Sequence, residues 1–179
     1  KEYTESDRTT KVVGLIPARY HSSRFEGKPL AMISGIPMIQ RVYNQSMQSK
    51  SLASVIVLTD NSDIYNFCIS MRMKCLIVGG DCFTGTDRCA KAIKDIEGDI
   101  FVNIQGDEPL IDPETIDKLV ESHTLGSVSN AYVELDFYSE KRHDNNVGKV
   151  VTDTYNNALY YSRLSIPYVQ KEETIVKQQ

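Results

Sequence analysis

Strand and helix patterns alternate through the first two-thirds of the chain. Short apolar runs, typical of strands buried on both faces, lie at residues 11–17, 53–59, 74–78 and 99–104. Apolar residues at helical spacing predict helices that begin at Pro37, after a cap at Asn61 or Ser62, at Thr86 and at Pro113. Strands that alternate with helices favour parallel βαβ units with right-handed crossovers.

The pattern changes after residue 125. Apolar segments without intervening helices predict strands at residues 127–133, 147–152 and 158–161, the last two joined by a turn at 155–157. We therefore predict an α/β fold, a three-layer sandwich whose mostly parallel, Rossmann-like sheet carries added antiparallel strands. In such folds ligands bind beyond the C-terminal ends of the strands.

Length and composition are those of an ordinary globular protein. The 179 residues suit a polar tail at residues 1–10 and one domain over 11–179. No apolar run is long enough to cross a bilayer, and the first residues contain no apolar signal core, so we expect a cytoplasmic protein without membrane insertion. The net charge of −4 argues against a nucleic-acid partner, and an anionic ligand would require a local cluster of cations.

Four cysteines, Cys68, Cys75, Cys82 and Cys89, recur every seven residues. This spacing invites a metal-site or disulfide interpretation. However, no Cys-x-x-Cys pair is present, and the segments between the cysteines belong to different element types. We therefore favour ordinary reduced thiols.

A cluster of cations follows the first predicted strand. Arg19, Arg24 and Lys28 fall within ten residues, at the place where an α/β sheet binds its ligand. Arginine presents a planar fork to phosphate oxygens and lysine a compact charge, while Gly27 lets backbone N–H groups approach an anion. The loop lacks the Walker A and Gly-x-Gly-x-x-Gly patterns, which disfavours P-loop ATPases, kinases and NAD-dependent enzymes. A solvated basic loop without a ligand is the alternative.

Carboxylates follow the fourth predicted strand. Asp107 and Glu108 lie in the loop at residues 105–110. A Mg²⁺–triphosphate site needs one or two carboxylates facing phosphate-binding cations, and the two loops together provide both. Taken alone, the acidic segment also fits an ordinary turn, since Gly, Asp and Pro are turn residues.

A third polar segment, residues 84–88, lies at the start of the third predicted helix. Thr84 or Thr86 fits a helix cap. Arg88 is a cation near a helix N-terminus, where the helix dipole disfavours positive charge. We therefore expect an anionic or hydrogen-bonding partner for Arg88.

Taken together, these segments resemble the CMP-Kdo synthetases, the 3-deoxy-manno-octulosonate cytidylyltransferases. The resemblance covers about residues 11–168 and rests on segments 16–20, 22–30, 35–39, 84–88, 103–110, 146–151 and 158–163. It implies a nucleotide-diphospho-sugar transferase type of fold, a Mg²⁺ cofactor and a homodimer. The implied reaction converts CTP and Kdo into CMP-Kdo and diphosphate, for lipopolysaccharide precursor synthesis.

The resemblance also implies roles for individual residues. The CTP-binding residues would be Ala18, Arg19, Ser22, Arg24, Lys28 and Arg88. The catalytic residues would be Arg19, Lys28 and Asp107, with Asp107 binding Mg²⁺, and the sugar acid would be bound by Gln105, Glu108 and Arg163. The family has another strand, further sugar-binding residues and a second metal-binding aspartate after the position of Gln179, so we expect the chain to lack its C-terminal part.

Three other functions fit part of the pattern. A sibling cytidylyltransferase would activate another sugar acid, such as 8-amino Kdo or a sialic acid. A nucleotide-sugar glycosyltransferase has a similar α/β architecture but would require an Asp-x-Asp metal motif, whereas this chain has Asp107-Glu108. A nucleotide-binding protein without turnover is the non-enzymatic alternative.

Overall fold

The computed structural model describes residues 10–21, 25–124, 126–136 and 139–168. The chain divides into two compact units, Lys1–Ser129 and Asn130–Gln179. The first contains a parallel sheet with its helices, and the second contains an antiparallel pair of strands. Within the described ranges, the helices are all too short or too polar to span a membrane.

Eight strands and four α-helices make up the described part of the chain. The strands are β1 (Val12–Ala18), β2 (Met32–Ile33), β3 (Ile36–Pro37), β4 (Ser54–Thr59), β5 (Cys75–Ile77), β6 (Ile100–Asn103), β7 (Lys149–Thr152) and β8 (Ala158–Ser162). The helices are α1 (Met38–Ser46), α2 (Ser62–Ser70), α3 (Gly85–Ala92) and α4 (Pro113–Glu121). Short 3-10 turns lie at Lys28–Leu30, Ile93–Asp95 and Glu140–Arg142. The four predicted helices are therefore all present.

The central sheet of the first unit has four parallel strands in the order β5-β4-β1-β6. Successive side chains of β1 point to opposite faces of this sheet. Val12 and Ile16 pack in a core with residues of α1, α2 and α4, whereas Val13 and Leu15 pack in a second core with residues of α3. Helices thus cover both faces, which confirms the predicted three-layer α/β architecture.

Side-chain caps fix where two of the helices begin. The Oδ1 atom of Asn61 accepts from the backbone N–H groups of Asp63 and Ile64 at 2.8 and 3.1 Å, as predicted for the start of α2. Asp112 caps α4 in the same way, accepting from the N–H of Glu114 at 3.0 Å. Both helices follow loops at the sheet edge where the candidate site lies.

A small hairpin, β2–β3, was not predicted. Its two-residue strands pair antiparallel across a turn at Ser34 and Gly35, whose φ angles are 47° and 78°. Two successive residues with positive φ are typical of the tight turns that join hairpin strands. The hairpin lies between the loop that follows β1 and α1.

After residue 125, the structure differs from the prediction in one strand. β7 and β8 pair antiparallel with each other as a two-stranded sheet, close to the predicted ranges. The strand predicted at residues 127–133 is wrong, because this segment pairs with no strand in the described part of the chain. Its apolar side chains suggested a strand, yet Val128 and Val133 are 100% and 87% exposed.

Candidate active site

The first loop of the site leaves the C-terminal end of β1. Ala18 is buried at the end of the strand, and Arg19 beside it is exposed. The loop closes where the backbone N–H of Gly27 donates to the carbonyl oxygen of Tyr20 at 2.9 Å. Gly27 has a φ of 69°, a left-handed conformation that favours glycine. This closed turn sets the position of the next residue, Lys28.

The second loop leaves the C-terminal end of β6, which neighbours β1 in the sheet. Nζ of Lys28 donates to Oδ2 of Asp107 at 2.8 Å, although the two residues lie 79 positions apart in the sequence. Their side chains are 40% and 53% exposed, so solvent and ligands can reach this ion pair. The basic and acidic loops therefore meet at one edge of the sheet, as the sequence predicted.

Two glycines let their segments approach β1 closely. A Cβ on Gly106 would lie 2.7 Å from the carbonyl oxygen of Pro17, and a Cβ on Gly85 would lie 2.9 Å from the Cγ atom of Pro17. Both distances are too short for any other residue without movement of the backbone or the proline ring. Glycine at these positions therefore brings the β6 loop and the start of α3 against the end of β1.

A cleft of about 480 Å³ lies among these segments. It is lined by six of the residues predicted for the site: Ala18, Arg19, Lys28, Arg88, Gln105 and Asp107. Phe25, Met38 and Cys82 also line it. Sequence reasoning missed these three because uncharged side chains in a loop or a helix read equally well as core or surface residues.

Arg88 occupies a different environment from the other cations of the cleft. Its guanidinium donates through Nη1 to the carbonyl oxygen of Val78 and through Nη2 to Oδ2 of Asp60, the latter at 2.5 Å. The side chain is only 4% exposed. Asp60 is thus an anionic partner of the kind that the sequence predicted for Arg88.

The start of α3, which carries Arg88, is fixed by a reciprocal cap. The backbone N–H of Asp87 donates to Oγ1 of Thr84 at 3.1 Å, and the N–H of Thr84 donates to Oδ2 of Asp87 at 2.8 Å. Of the two threonines considered, Thr84 is therefore the cap. Thr84 and Asp87 therefore have a structural role that does not require a ligand.

Three other predicted residues of the first unit are placed as follows. Ser22 and Arg24 lie outside the described residues. Glu108 is exposed in the turn after Asp107, and its backbone N–H donates to the carbonyl oxygen of Gln105 at 3.2 Å. Glu108 thus shares a tight turn with Gln105, Gly106 and Asp107, which all line the cleft.

Arg163 belongs to the second unit, where it is held by contacts within that unit. Its Nη1 atom donates to the carbonyl oxygen of Asn146 at 2.6 Å. The buried ammonium of Lys149 donates in turn to the carbonyl oxygen of Arg163 at 3.0 Å. Both the guanidinium and the backbone of Arg163 are therefore fixed by hydrogen bonds.

Asp107 is the carboxylate predicted to bind Mg²⁺. The described residues contain no group of three or more His, Cys, Asp and Glu side chains that could hold a metal ion. Mg²⁺ commonly binds through one or two carboxylates together with waters and substrate phosphates. A half-exposed carboxylate beside an ammonium group therefore fits Mg²⁺ held jointly with a nucleotide, rather than a site built from protein ligands alone.

The four cysteines are free thiols, as predicted. Cys68 and Cys75 are buried, and the hydrogen bond with Cys75 together with burial raises the pKa of the Cys68 thiol. Burial also raises the pKa of Cys89 to about 11. Thiols that stay protonated in this way act as small apolar side chains of the core.

Comparison with known proteins gives one consistent family. Residues 13–179 match the cytidylyltransferase family. A solved structure of CMP:2-keto-3-deoxy-manno-octonic acid synthetase complexed with CTP superimposes with a TM-score of 0.78 and 33% identity, covering 92% of this chain and 68% of that one.

Named relatives are more similar in sequence. The 3-deoxy-manno-octulosonate cytidylyltransferase of Desulfosudis oleivorans is 42% identical over 92% of this chain, and the mitochondrial enzyme of that name from Arabidopsis thaliana is 43% identical over 89%. The 8-amino-3,8-dideoxy-manno-octulosonate cytidylyltransferase of Shewanella pealeana is 44% identical over 86%. The chain spans 68%, 56% and 65% of the lengths of these three proteins, respectively. The chain therefore belongs to the cytidylyltransferase family, alongside the 3-deoxy-manno-octulosonate cytidylyltransferases, or CMP-Kdo synthetases.

Proposed function

We propose that the protein transfers a cytidylyl group from CTP to Kdo, giving CMP-Kdo and diphosphate for lipopolysaccharide precursor synthesis. The observation that carries this proposal is the 2.8 Å pair of Lys28 and Asp107 in one cleft, because a cation suited to phosphate then lies beside a carboxylate suited to Mg²⁺. Membership of the cytidylyltransferase family and the similarity to a synthetase solved with CTP support the same nucleotide.

In this proposal the basic loop binds the triphosphate of CTP. Arg19 and Lys28 contact the phosphates, together with Ser22 and Arg24 from the same loop. Cations suit this role because the departing diphosphate gains negative charge as its bond to the α-phosphorus breaks. In the same proposal, Ala18 and Arg88 lie near the cytosine base of CTP.

The sugar acid is held so that its anomeric hydroxyl faces the α-phosphorus of CTP. A new bond forms between that oxygen and the phosphorus while the bond to the diphosphate breaks, so the diphosphate leaves with the bonding electron pair and the hydroxyl proton passes to water. We assign Gln105 and Glu108 to the sugar and Arg163 to its carboxylate, because the arginine fork matches a carboxylate geometrically. Positioning and charge neutralisation are the protein's main contributions to such a transfer.

Asp107 is the residue that would hold Mg²⁺ at this site. When bound, Mg²⁺ supplies Lewis-acid polarisation of the phosphate oxygens and neutralises part of the nucleotide's charge. The exposed position of the carboxylate, next to Lys28 and open to the cleft, supports this role.

The identity of the sugar acid is the finer part of the proposal. Relatives at almost equal identity are named for Kdo and for its 8-amino analogue. Measuring diphosphate release with each acceptor separately would distinguish them. Release of a nucleoside diphosphate instead would indicate a glycosyltransferase.

Two substitutions test the proposed function. Lys28→Ala and Asp107→Ala should each lower diphosphate release from CTP and Kdo by about 100-fold, because each removes a charge that stabilises the transition state. Lys94→Ala and Asp95→Ala are matched controls, since both residues are exposed in the turn before β6 and do not line the cleft. Wild-type rates in either cleft variant would contradict the assignment.

The oligomeric state and the compartment also belong to this proposal. We propose a homodimer in the cytoplasm, the arrangement that the family resemblance implies. Light scattering of the purified protein would test the dimer, and cell fractionation would test the location. The plant relative is named as mitochondrial, so fractionation should include organelles where the host has them.

A further inference from the structure

Asp60 is a charged residue beside Arg88, which lines the cleft, and it belongs to none of the predicted sets. It comes directly after β4, whose C-terminal end lies at the same edge of the sheet as those of β1 and β6. Its Oδ2 atom lies 2.5 Å from Nη2 of Arg88. We infer that Asp60 is a positioning residue for the nucleotide, acting through Arg88. This inference rests on the proposed function.

Arg88 is buried and therefore depends on its partners. The Arg88 side chain is 4% exposed, whereas the Asp60 side chain is 39% exposed. A guanidinium removed from water is stable only with charged and hydrogen-bonding partners, and losing one partner leaves an uncompensated buried charge. Arg88 has two such contacts, Asp60 and the carbonyl of Val78, so its position depends on both.

Arg88 connects three segments of the fold. The two contacts of Arg88 join α3 to the segment after β4 and to the segment after β5. α3 also supplies Gly85 to the cleft lining, next to its cap Thr84. Asp60 therefore helps to hold one wall of the cleft in place.

A fixed wall of the cleft favours binding of the nucleotide. Binding of the nucleotide loses less conformational entropy when the wall of the cleft is already fixed than when the wall must become ordered around the ligand. Asp60 itself is not among the residues that line the cleft. Asp60 therefore acts on the nucleotide through the placement of Arg88. Its loss should weaken the binding of the ground state and of the transition state equally.

Asp60→Asn tests this inference, because asparagine keeps the shape of the side chain and removes its charge. We expect the KM for CTP and the calorimetric Kd for CTP to rise about tenfold, with kcat within about twofold of wild type, as for loss of uniform binding. The matched control is Asp63→Asn, which changes an exposed carboxylate in the first turn of α2 that forms no ion pair with Arg88, and it should leave both constants unchanged. Arg88→Lys, which keeps the charge but loses the two-pronged guanidinium, should raise KM in the same way and serves if Asp60→Asn does not fold.

The outcomes separate this inference from the proposed function. An unchanged Kd and KM for CTP in Asp60→Asn, with only a lower melting temperature or a lower kcat, would mean a purely structural role and overturn the inference. If the wild type binds CTP but releases no diphosphate with any sugar acid, the proposed function fails, while the Kd comparison still decides the role of Asp60. A wild type that binds no CTP overturns both.

Discussion

Gly106 is the residue on which the approach of the acidic loop to β1 depends. A methyl group at this position would meet the carbonyl oxygen of Pro17 at 2.7 Å, and a backbone oxygen cannot move aside as a flexible side chain can. Any side chain here must push the loop away from the strand. Asp107 is the next residue, so the displacement would reach the ion pair directly.

We expect Gly106→Ala to destabilise the protein by about 1–3 kcal/mol, as overpacking commonly does. It should also lower kcat/KM about tenfold, because a small misplacement of Asp107 is transmitted to the reacting groups. Thermal unfolding and diphosphate release would measure the two effects.

Gly79→Ala is the control for this substitution. A Cβ at Gly79 would have no heavy atom within 4 Å, and its backbone has no positive φ. A loss of activity in Gly79→Ala equal to that in Gly106→Ala would refute the packing explanation.

Sequence reasoning identified some residues of the site and missed others for definable reasons. Lys28 and Asp107 carry charges in loops that follow strands, a position that indicates function in this class of fold. Asp60 also follows a strand, but it precedes the cap Asn61 and reads as part of a turn. Its partner, Arg88, lies 28 residues further on, and no local pattern links the two.

At the scale of elements, α4 is tied to the connection between α1 and β4 by one carboxylate. Oδ1 of Asp117 accepts from Oγ of Ser49 at 2.5 Å and from the backbone N–H of Ser51 at 3.0 Å. These hydrogen bonds stabilise the ionised form and lower the pKa of Asp117 from 3.8 to about 2. The helix is therefore held in place by a charge that acid can remove.

Asp117→Asn should lower the free energy of unfolding at about pH 7 and have a smaller effect at about pH 3. The sign follows from the depressed pKa, because the stabilisation is complete above the unfolded pKa and is lost as the pH falls through the folded pKa. Urea unfolding of wild type and variant at the two pH values measures the difference. A gap of equal size at both would contradict this explanation.

Glu121→Gln serves as the control in the same helix. Glu121 is exposed at the end of α4, and no side-chain hydrogen bond involves it in the described part of the chain. Its effect on stability should be small and should not change in the same way between the two pH values.

The elements of the parallel sheet could be predicted, and the smaller ones could not. Strands buried on both faces and helices with one apolar stripe leave strong periodic patterns. β2 and β3 have two residues each, too few for any period to appear. The segment at 127–133 has the composition of a strand, but composition does not specify whether a pairing partner is present.

At the scale of the whole molecule, charge is the main constraint on binding the proposed ligand. The protein has a formal net charge of −4, and the proposed ligand is a triphosphate. Among the described residues, the cleft lining contains three basic side chains and one acidic one, so its local charge is opposite in sign to the net charge. Two of those three cations, Lys28 and Arg88, already pair with carboxylates.

The meeting of the two charged loops was the most important long-range prediction, and it followed from topology. Parallel strands that alternate with helices place all their C-terminal ends at one edge of the sheet. The order β5-β4-β1-β6 makes β1 and β6 neighbours, which brings Lys28 to Asp107. The distance itself was not predictable, because it depends on the close packing of Gly106 on Pro17.

We expect Asp107→Asn to bind CTP more tightly than wild type when a chelator keeps divalent metals away. Lys28 would then be released from its partner and would be free to contact phosphate, so the affinity should rise several-fold. Calorimetric titration of CTP in chelator would measure this change.

Glu108→Gln separates the loss of this partner from a general loss of negative charge. Glu108 is the exposed neighbour of Asp107 and forms no ion pair with Lys28. It should give a smaller gain in affinity for CTP in chelator. Equal gains in the two variants, or weaker binding in Asp107→Asn, would contradict the expected effect.

The pairing of Lys28 with Asp107 has a consequence for the order of events in a cell. A nucleotide that arrives alone must compete with an internal counter-ion for the lysine, whereas one that arrives with its metal offers Asp107 a replacement partner. By linkage, each of the two would then strengthen the binding of the other. The resting protein would thus discriminate between bare and metal-loaded nucleotide before any bond is made or broken.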